Sequence, residues 1–118
     1  MKIGIVGSRR RVTTNDRAMV IHAFDCISDS NPIIISGGCD KGADYWAETL
    51  ARIRGIPITI YHAHWSKFGK AAGVIRNDFI AKDSDILIAC VANDRTGGTE
   101  DTIRKFTKYH PDGKIIII

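Results

Sequence analysis

With 118 residues, 44% apolar and 25% charged, the chain has room for one buried core and little for a second domain. No apolar run approaches the ~20 residues that a membrane span requires. A formal charge of +4 suits anionic ligands in general and does not single out nucleic acid.

The first element, Lys2 to Val6 (KIGIV), reads as a buried strand. Its apolar stretch is too short for a secretory leader and arginines follow it, so a cytoplasmic location is the expectation. From Asp16 to Ser28 the residues Met19, Val20, Ala23, Phe24 and Ile27 recur at helical spacing, with Cys26 on the same face. Thr14 or Asn15 is placed to cap that helix, because a short polar side chain accepts from its free N–H groups. Ile33 to Ser36 is a second strand. Ala43, Trp46, Ala47, Leu50 and Ala51 form a second helical stripe, ended by Gly55 and Pro57. Ile58 to Tyr61 is strand three.

The stretch HAHWSKFGK is less regular. A helix is predicted over Ala71 to Lys82, with Ile75 and Phe79 one turn apart. Asp85 to Cys90 is strand four, and Val91 to Thr96 is loop. Thr99 to Lys108 reads as a helix with Ile103, Phe106 and Thr107 inward; Gly113 closes it and Lys114 to Ile118 is strand five.

Short, continuously apolar strands separated by helices indicate a parallel sheet covered on both faces. Right-handed crossovers favour an α/β, doubly wound, Rossmann-like domain over residues 1–118, with five parallel strands in the order 3-2-1-4-5. The three cysteines, Cys26, Cys39 and Cys90, form no CxxC pair, so neither a disulfide framework nor a zinc site is expected. His62 and His64 read as surface loop residues. No metal and no cofactor is expected.

In such a sheet every strand-to-helix junction opens on one edge, and ligands bind there beside strands one and four. Three junctions are built alike, from glycine beside a hydroxyl residue. They are Gly7-Ser8-Arg9, Ser36-Gly37-Gly38 through Gly42, and Gly97-Gly98-Thr99. Glycine lets a ligand approach the backbone, and the open N–H groups of the following helix attract phosphate. Ser8, Ser36 and Thr99 add hydroxyls, and Arg9 adds a forked cation. Neither GxGxxG nor the Walker A pattern is present, which removes ordinary dehydrogenase and P-loop readings. Glu100, Asp101 and Asp44 lie in first helical turns, where acids also complement the dipole.

GSR after strand one, SGGCDKGAD after strand two, HWSKFGKAAGVIRN, and GGT before the last helix together resemble the SLOG superfamily. That group includes the DNA-processing A proteins and the Lonely Guy phosphoribohydrolases; the likeness is greatest to its small stand-alone members of the YspA and YpsA type. The resemblance spans nearly the whole chain and implies a Rossmann-like fold for a nucleotide or nucleotide-derived ligand. Carried over residue by residue, it places Gly7, Ser8, Arg9, Ser36, Gly37, Gly38, Asp44, Arg76, Asn77, Gly97, Gly98 and Thr99 around the ligand. Trp65 stands as a candidate to wall the base by stacking, or as a plain core or interface aromatic.

The leading expectation is therefore a protein that binds, and so senses or sequesters, a phosphorylated nucleotide-derived ligand. The alternative is Lonely Guy-like hydrolysis of a nucleotide N-glycosidic bond. There Arg76 would hold phosphate or ribose, and Glu100 or Asp101 would supply the carboxylate that an oxocarbenium-like state requires. The Lonely Guy motif GGxGTxxE is not reproduced: the chain has GGTEDT, with Thr102 at the glutamate position. Single-stranded nucleic acid binding has only the run Arg9-Arg10-Arg11 in its favour, without the interleaved aromatics that stacking requires. A homo-oligomer paired through helices, with Trp46 or Phe79 at the contact, is also expected.

Overall fold

The computed structural model describes residues 1–118. In chain order the elements are β1 (Lys2–Gly7), α1 (Thr14–Ile27), β2 (Ile33–Ser36), α2 (Ala43–Arg54) and β3 (Ile58–Ile60). The short α3 (Trp65–Phe68) follows and runs through a 3₁₀ turn (Gly69–Ala71) into α4 (Ala72–Asp83). β4 (Ile86–Cys90), α5 (Gly98–Tyr109) and β5 (Lys114–Ile117) complete the chain. The sheet is all parallel, in the order β3-β2-β1-β4-β5, so the Rossmann-like expectation holds. β1 and β4 are central and run in register to their ends, where Gly7 stands opposite Cys90.

Alternation along the central strands sorts the core into two layers. Ile3 and Ile5 of β1 pack with Val20 and Phe24 of α1 and with Trp46, Ala47 and Leu50 of α2. Val6 of β1 and Leu87 and Ala89 of β4 face the other way, onto Ile80 of α4 and Phe106 of α5. Because side chains alternate with a period of two, a strand covered on both faces must be apolar throughout, as these strands are.

Several local expectations are corrected. α1 is capped by Thr13, one residue before Thr14 and two before Asn15. Its hydroxyl accepts from the Asp16 N–H at 3.0 Å while the Asp16 carboxylate accepts from the Thr13 N–H at 3.2 Å, a reciprocal capping box. The buried stripe of α1 is narrower than its apolar residues suggest: Cys26 is exposed, beside His22, and Met19 is 37% exposed. On α5 the buried polar residues are Thr99 and Thr102, not Thr107, which is exposed. The irregular stretch contains α3. Trp46 is only 8% exposed and belongs to the core, which removes it as an oligomer contact. Phe79 is 52% exposed and stacks on Tyr61, with ring centroids 5.6 Å apart. No helix is long and apolar enough to cross a membrane.

Candidate functional site

The ends of β1 and β4 mark the point where the winding of the sheet reverses, and the loop before α1 and the loop before α5 leave it in opposite directions. Two glycines bring α2 in against this point. A Cβ on Gly7 would stand 2.7 Å from the Cβ of Ala43, the first residue of α2. Gly42 has φ of +70°, and a Cβ on it would stand 2.9 Å from the carbonyl oxygen of Ser8. Only glycine satisfies both the left-handed backbone and that close approach.

The result is a cleft of about 250 Å³. The first loop contributes Gly7, Ser8 and Arg9; the second contributes Cys39 and Asp44; α4 contributes Arg76 and Asn77; and the last junction contributes Gly97, Gly98 and Thr99. α2 and α5 both start at a glycine without a side-chain cap. The first-turn N–H groups of α5, at Gly98 and Thr99, therefore border the cleft without a side chain bonded to them.

The three consecutive arginines have separate fates. Arg9 is exposed, lines the cleft and forms no ion pair. Arg10 makes a two-pronged contact with Asp94, at 2.9 and 2.8 Å, and reaches the Thr96 hydroxyl at 2.9 Å. Hydrogen bonds from Arg10 and Thr96 hold the Asp94 carboxyl well below the usual carboxylate range. Arg11 pairs with Asp16 at 2.9 Å and donates to the carbonyl oxygens of Val91 and Ile118. Arg10 thus fastens the loop before α5, and Arg11 fastens the strand ends.

On the opposite wall, Arg76 donates from Nη1 to the Gly37 carbonyl oxygen at 2.6 Å and from Nε to Asn77 Oδ1 at 3.0 Å. Asn77 in turn donates from Nδ2 to the Gly98 carbonyl oxygen and to Asp101 Oδ2, each at 3.2 Å. This chain of bonds holds Arg76 rigidly and ties α4 to the start of α5. Asp44 is 7% exposed, and its Oδ2 accepts from the Cys39 N–H at 3.1 Å. Burial pushes its carboxyl up to about 6, against the opposing effects of the Cys39 hydrogen bond and of Arg76 and Arg9.

The two acids named for catalysis do not line the cleft. Glu100 pairs with Arg95 at 2.9 and 3.0 Å; Arg95 itself has a left-handed backbone, φ 55°. Asp101 pairs with Arg104 at 2.6 Å and Lys105 at 2.8 Å, besides Asn77. Burial raises the Asp101 pKa, but hydrogen bonds from Lys105 and Asn77 outweigh it and leave the group below its ordinary value. The acid that does line the cleft is Asp44.

The structure brings together most of the remaining candidates and leaves four outside. Ser36 is fully buried and its hydroxyl has no partner. Gly37 lies behind Arg76 and Asp44, and Gly38 lies against the His62 ring. Trp65 is 55% exposed and leans over Gly73. Aromatic walls belong instead to a second, mainly apolar cavity of about 560 Å³, formed by Tyr61, Phe68, Ile75 and Phe79 with His62 and His64. Arg76 lines both cavities. No cluster of metal-ligating side chains is present.

Comparison with protein-family models, with curated proteins and with solved structures gave no match.

Proposed function

We propose that the protein binds a nucleotide or nucleotide-derived phosphorylated ligand in the cleft at the ends of β1 and β4, and so senses or sequesters it. The observation that carries this reading is the convergence of an unpaired Arg9 and the uncapped N-terminus of α5 on one cleft. A phosphate there meets backbone N–H groups, the Ser8 and Thr99 hydroxyls and a forked cation, all suited to its oxygens. The second, apolar cavity suits a planar base, and Arg76 lines both cavities. The likeness of the glycine junctions to the SLOG superfamily supports the same reading. Native mass spectrometry of freshly purified protein tests it: the expected result is a retained nucleotide-sized mass that free nucleotide displaces. Calorimetry showing no binding of any nucleotide would overturn it.

Hydrolysis of the N-glycosidic bond is a second reading, favoured by one observation. It requires a carboxylate at the ribose, and Asp44 lines the cleft. Nucleic acid binding loses its local support, because Arg10 and Arg11 are engaged within the chain.

A further inference from the structure

The cleft lining carries opposed charges. Arg9 and the start of α5 favour an anion, whereas Asp44 repels one. Asp44 is also unusually placed for an acid in the first turn of a helix. Asp16 in the first turn of α1 is equally buried but is paired with Arg11, whereas Asp44 is 7% exposed, lines the cleft and forms no ion pair. One oxygen is fixed by the Cys39 N–H; the other, Oδ1, accepts no hydrogen bond from the chain. Arg76 and Arg9 are close enough to favour its charge, yet neither forms a direct ion pair with it. An oriented carboxylate with spare acceptor capacity in a cleft calls for neutral donors from the ligand, and the strongest such partners are hydroxyl groups.

Resting on the nucleotide-binding reading above, we propose that Asp44 accepts hydrogen bonds from the ribose hydroxyls of the ligand, which makes the site selective for ribonucleotides with a free 2′,3′-diol. The polarity of binding follows. The phosphate lies at Arg9 and the N-terminus of α5, the sugar hydroxyls turn toward the N-terminus of α2, and the base extends past Arg76 to the apolar cavity. A 2′,3′-dideoxy ligand leaves a buried carboxylate that has lost its water and gained no donor, which is the larger part of the discrimination.

The test is calorimetric titration of the full chain with a panel of ribonucleoside 5′-monophosphates and their 2′,3′-dideoxy counterparts, for wild type and Asp44→Asn. The wild type is expected to prefer the ribonucleotide of its best base by about tenfold or more. Asp44→Asn is expected to bring that preference to near unity while keeping affinity for the dideoxy ligand. Equal wild-type affinities for the two ligands would overturn the proposal without any variant. A preference that survives Asp44→Asn would overturn it as well. Binding of neither ligand by the wild type would instead overturn the nucleotide reading, and this proposal with it.

Discussion

Arg76 donates to the carbonyl oxygen of Gly37 at 2.6 Å, and the absence of a side chain on Gly37 is what allows it. A Cβ there would lie 2.7 Å from Arg76 Nη1 and 3.0 Å from Asp44 Oδ2, so one methyl group would disturb two cleft residues at once. Gly37 is not among the glycines with a left-handed backbone, so alanine is allowed there conformationally. Both neighbours are side-chain ends, not backbone, and can shift. Gly37→Ala is therefore expected to lower stability by only about 1 kcal/mol while weakening nucleotide binding about tenfold. A thermal melt beside calorimetry checks this; lost stability with unchanged affinity would make Gly37 a folding residue only.

Arg9 and Arg10 offer a contrast between neighbours. Arg9→Ala should weaken a nucleoside monophosphate far more than its nucleoside, since a charge-assisted hydrogen bond contributes roughly 1.5–3 kcal/mol. Arg10→Ala removes the tie to Asp94 and Thr96, so it should loosen the loop before α5 and weaken both ligands, with faster amide exchange at residues 92–97. Equal losses for both ligands in Arg9→Ala would show that Arg9 does not read phosphate.

Glu100→Gln and Asp101→Asn address catalysis. Neither acid lines the cleft: Glu100 pairs with Arg95, and Asp101 sits between α4 and α5 with Asn77, Arg104 and Lys105. Glu100→Gln should change ligand affinity by no more than about twofold, whereas Asp101→Asn acts on the cleft only indirectly, through Asn77. Asp101→Asn should lower stability, because it releases Lys105, Arg104 and Asn77 together. Its depressed pKa sets the sign: the contribution is present above the unfolded value, fades as the pH falls through the folded value, and is missing from the variant throughout. Chromatography of free base from a nucleotide panel is expected to show none for wild type. Base release abolished by Glu100→Gln or Asp101→Asn would establish the hydrolase and place its carboxylate in α5. Release abolished only by Asp44→Asn would establish the hydrolase with its carboxylate in α2.

The strand order and the edge on which the glycine junctions open were legible because both follow from period and handedness. KIGIV, IIIS and ILIAC are short apolar runs of strand length bounded by turn residues, which reads as buried strands, and right-handed crossovers then order them. The glycine junctions were legible as a set, but the sequence does not say which glycine faces the cleft and which merely makes room. Gly7 and Gly98 border the cleft, whereas Gly37 and Gly38 accommodate Arg76, Asp44 and His62 from behind. That Glu100 and Asp101 lie off the cleft was not legible for a related reason. Proximity to a glycine pair fixes a position along the chain, but the partner that claims a side chain comes from elsewhere: Arg95 from the loop and Asn77 from α4. The second cavity was not legible at all. Tyr61, Phe68 and Phe79 come from three separate segments, and Ile75 and Phe79 at helical spacing look the same whether they face a core or a cavity.

Asp44 gives the sharpest dependence on pH. The groups acting on it are Arg76 from α4, Arg9 from the loop after β1, Glu48 one turn along α2 and the Cys39 N–H. Burial dominates, and its carboxyl lies at about 6, against 3.8 for an unperturbed aspartate. At Asp44 the folded chain thus binds more protons than the unfolded chain between these values, and the contribution of this one residue to stability must fall as the pH rises from about 4 to 6. Above that window the buried charge costs roughly 2–3 kcal/mol. Asp44→Asn lacks this penalty and can still accept from the Cys39 N–H. Its stability relative to wild type should therefore rise by about that amount between pH 4 and pH 7, as denaturant melts at the two values would show. All other carboxylates titrate in both proteins, so the difference isolates Asp44. A carboxylate that lowers stability at neutral pH is what a binding residue looks like, because its full set of partners exists only with ligand present. Saturating ribonucleotide should therefore raise wild-type stability at pH 7 more than that of Asp44→Asn. A relative stability that does not change with pH would mean that Asp44 is solvated, and would remove the energetic ground for giving it a ligand.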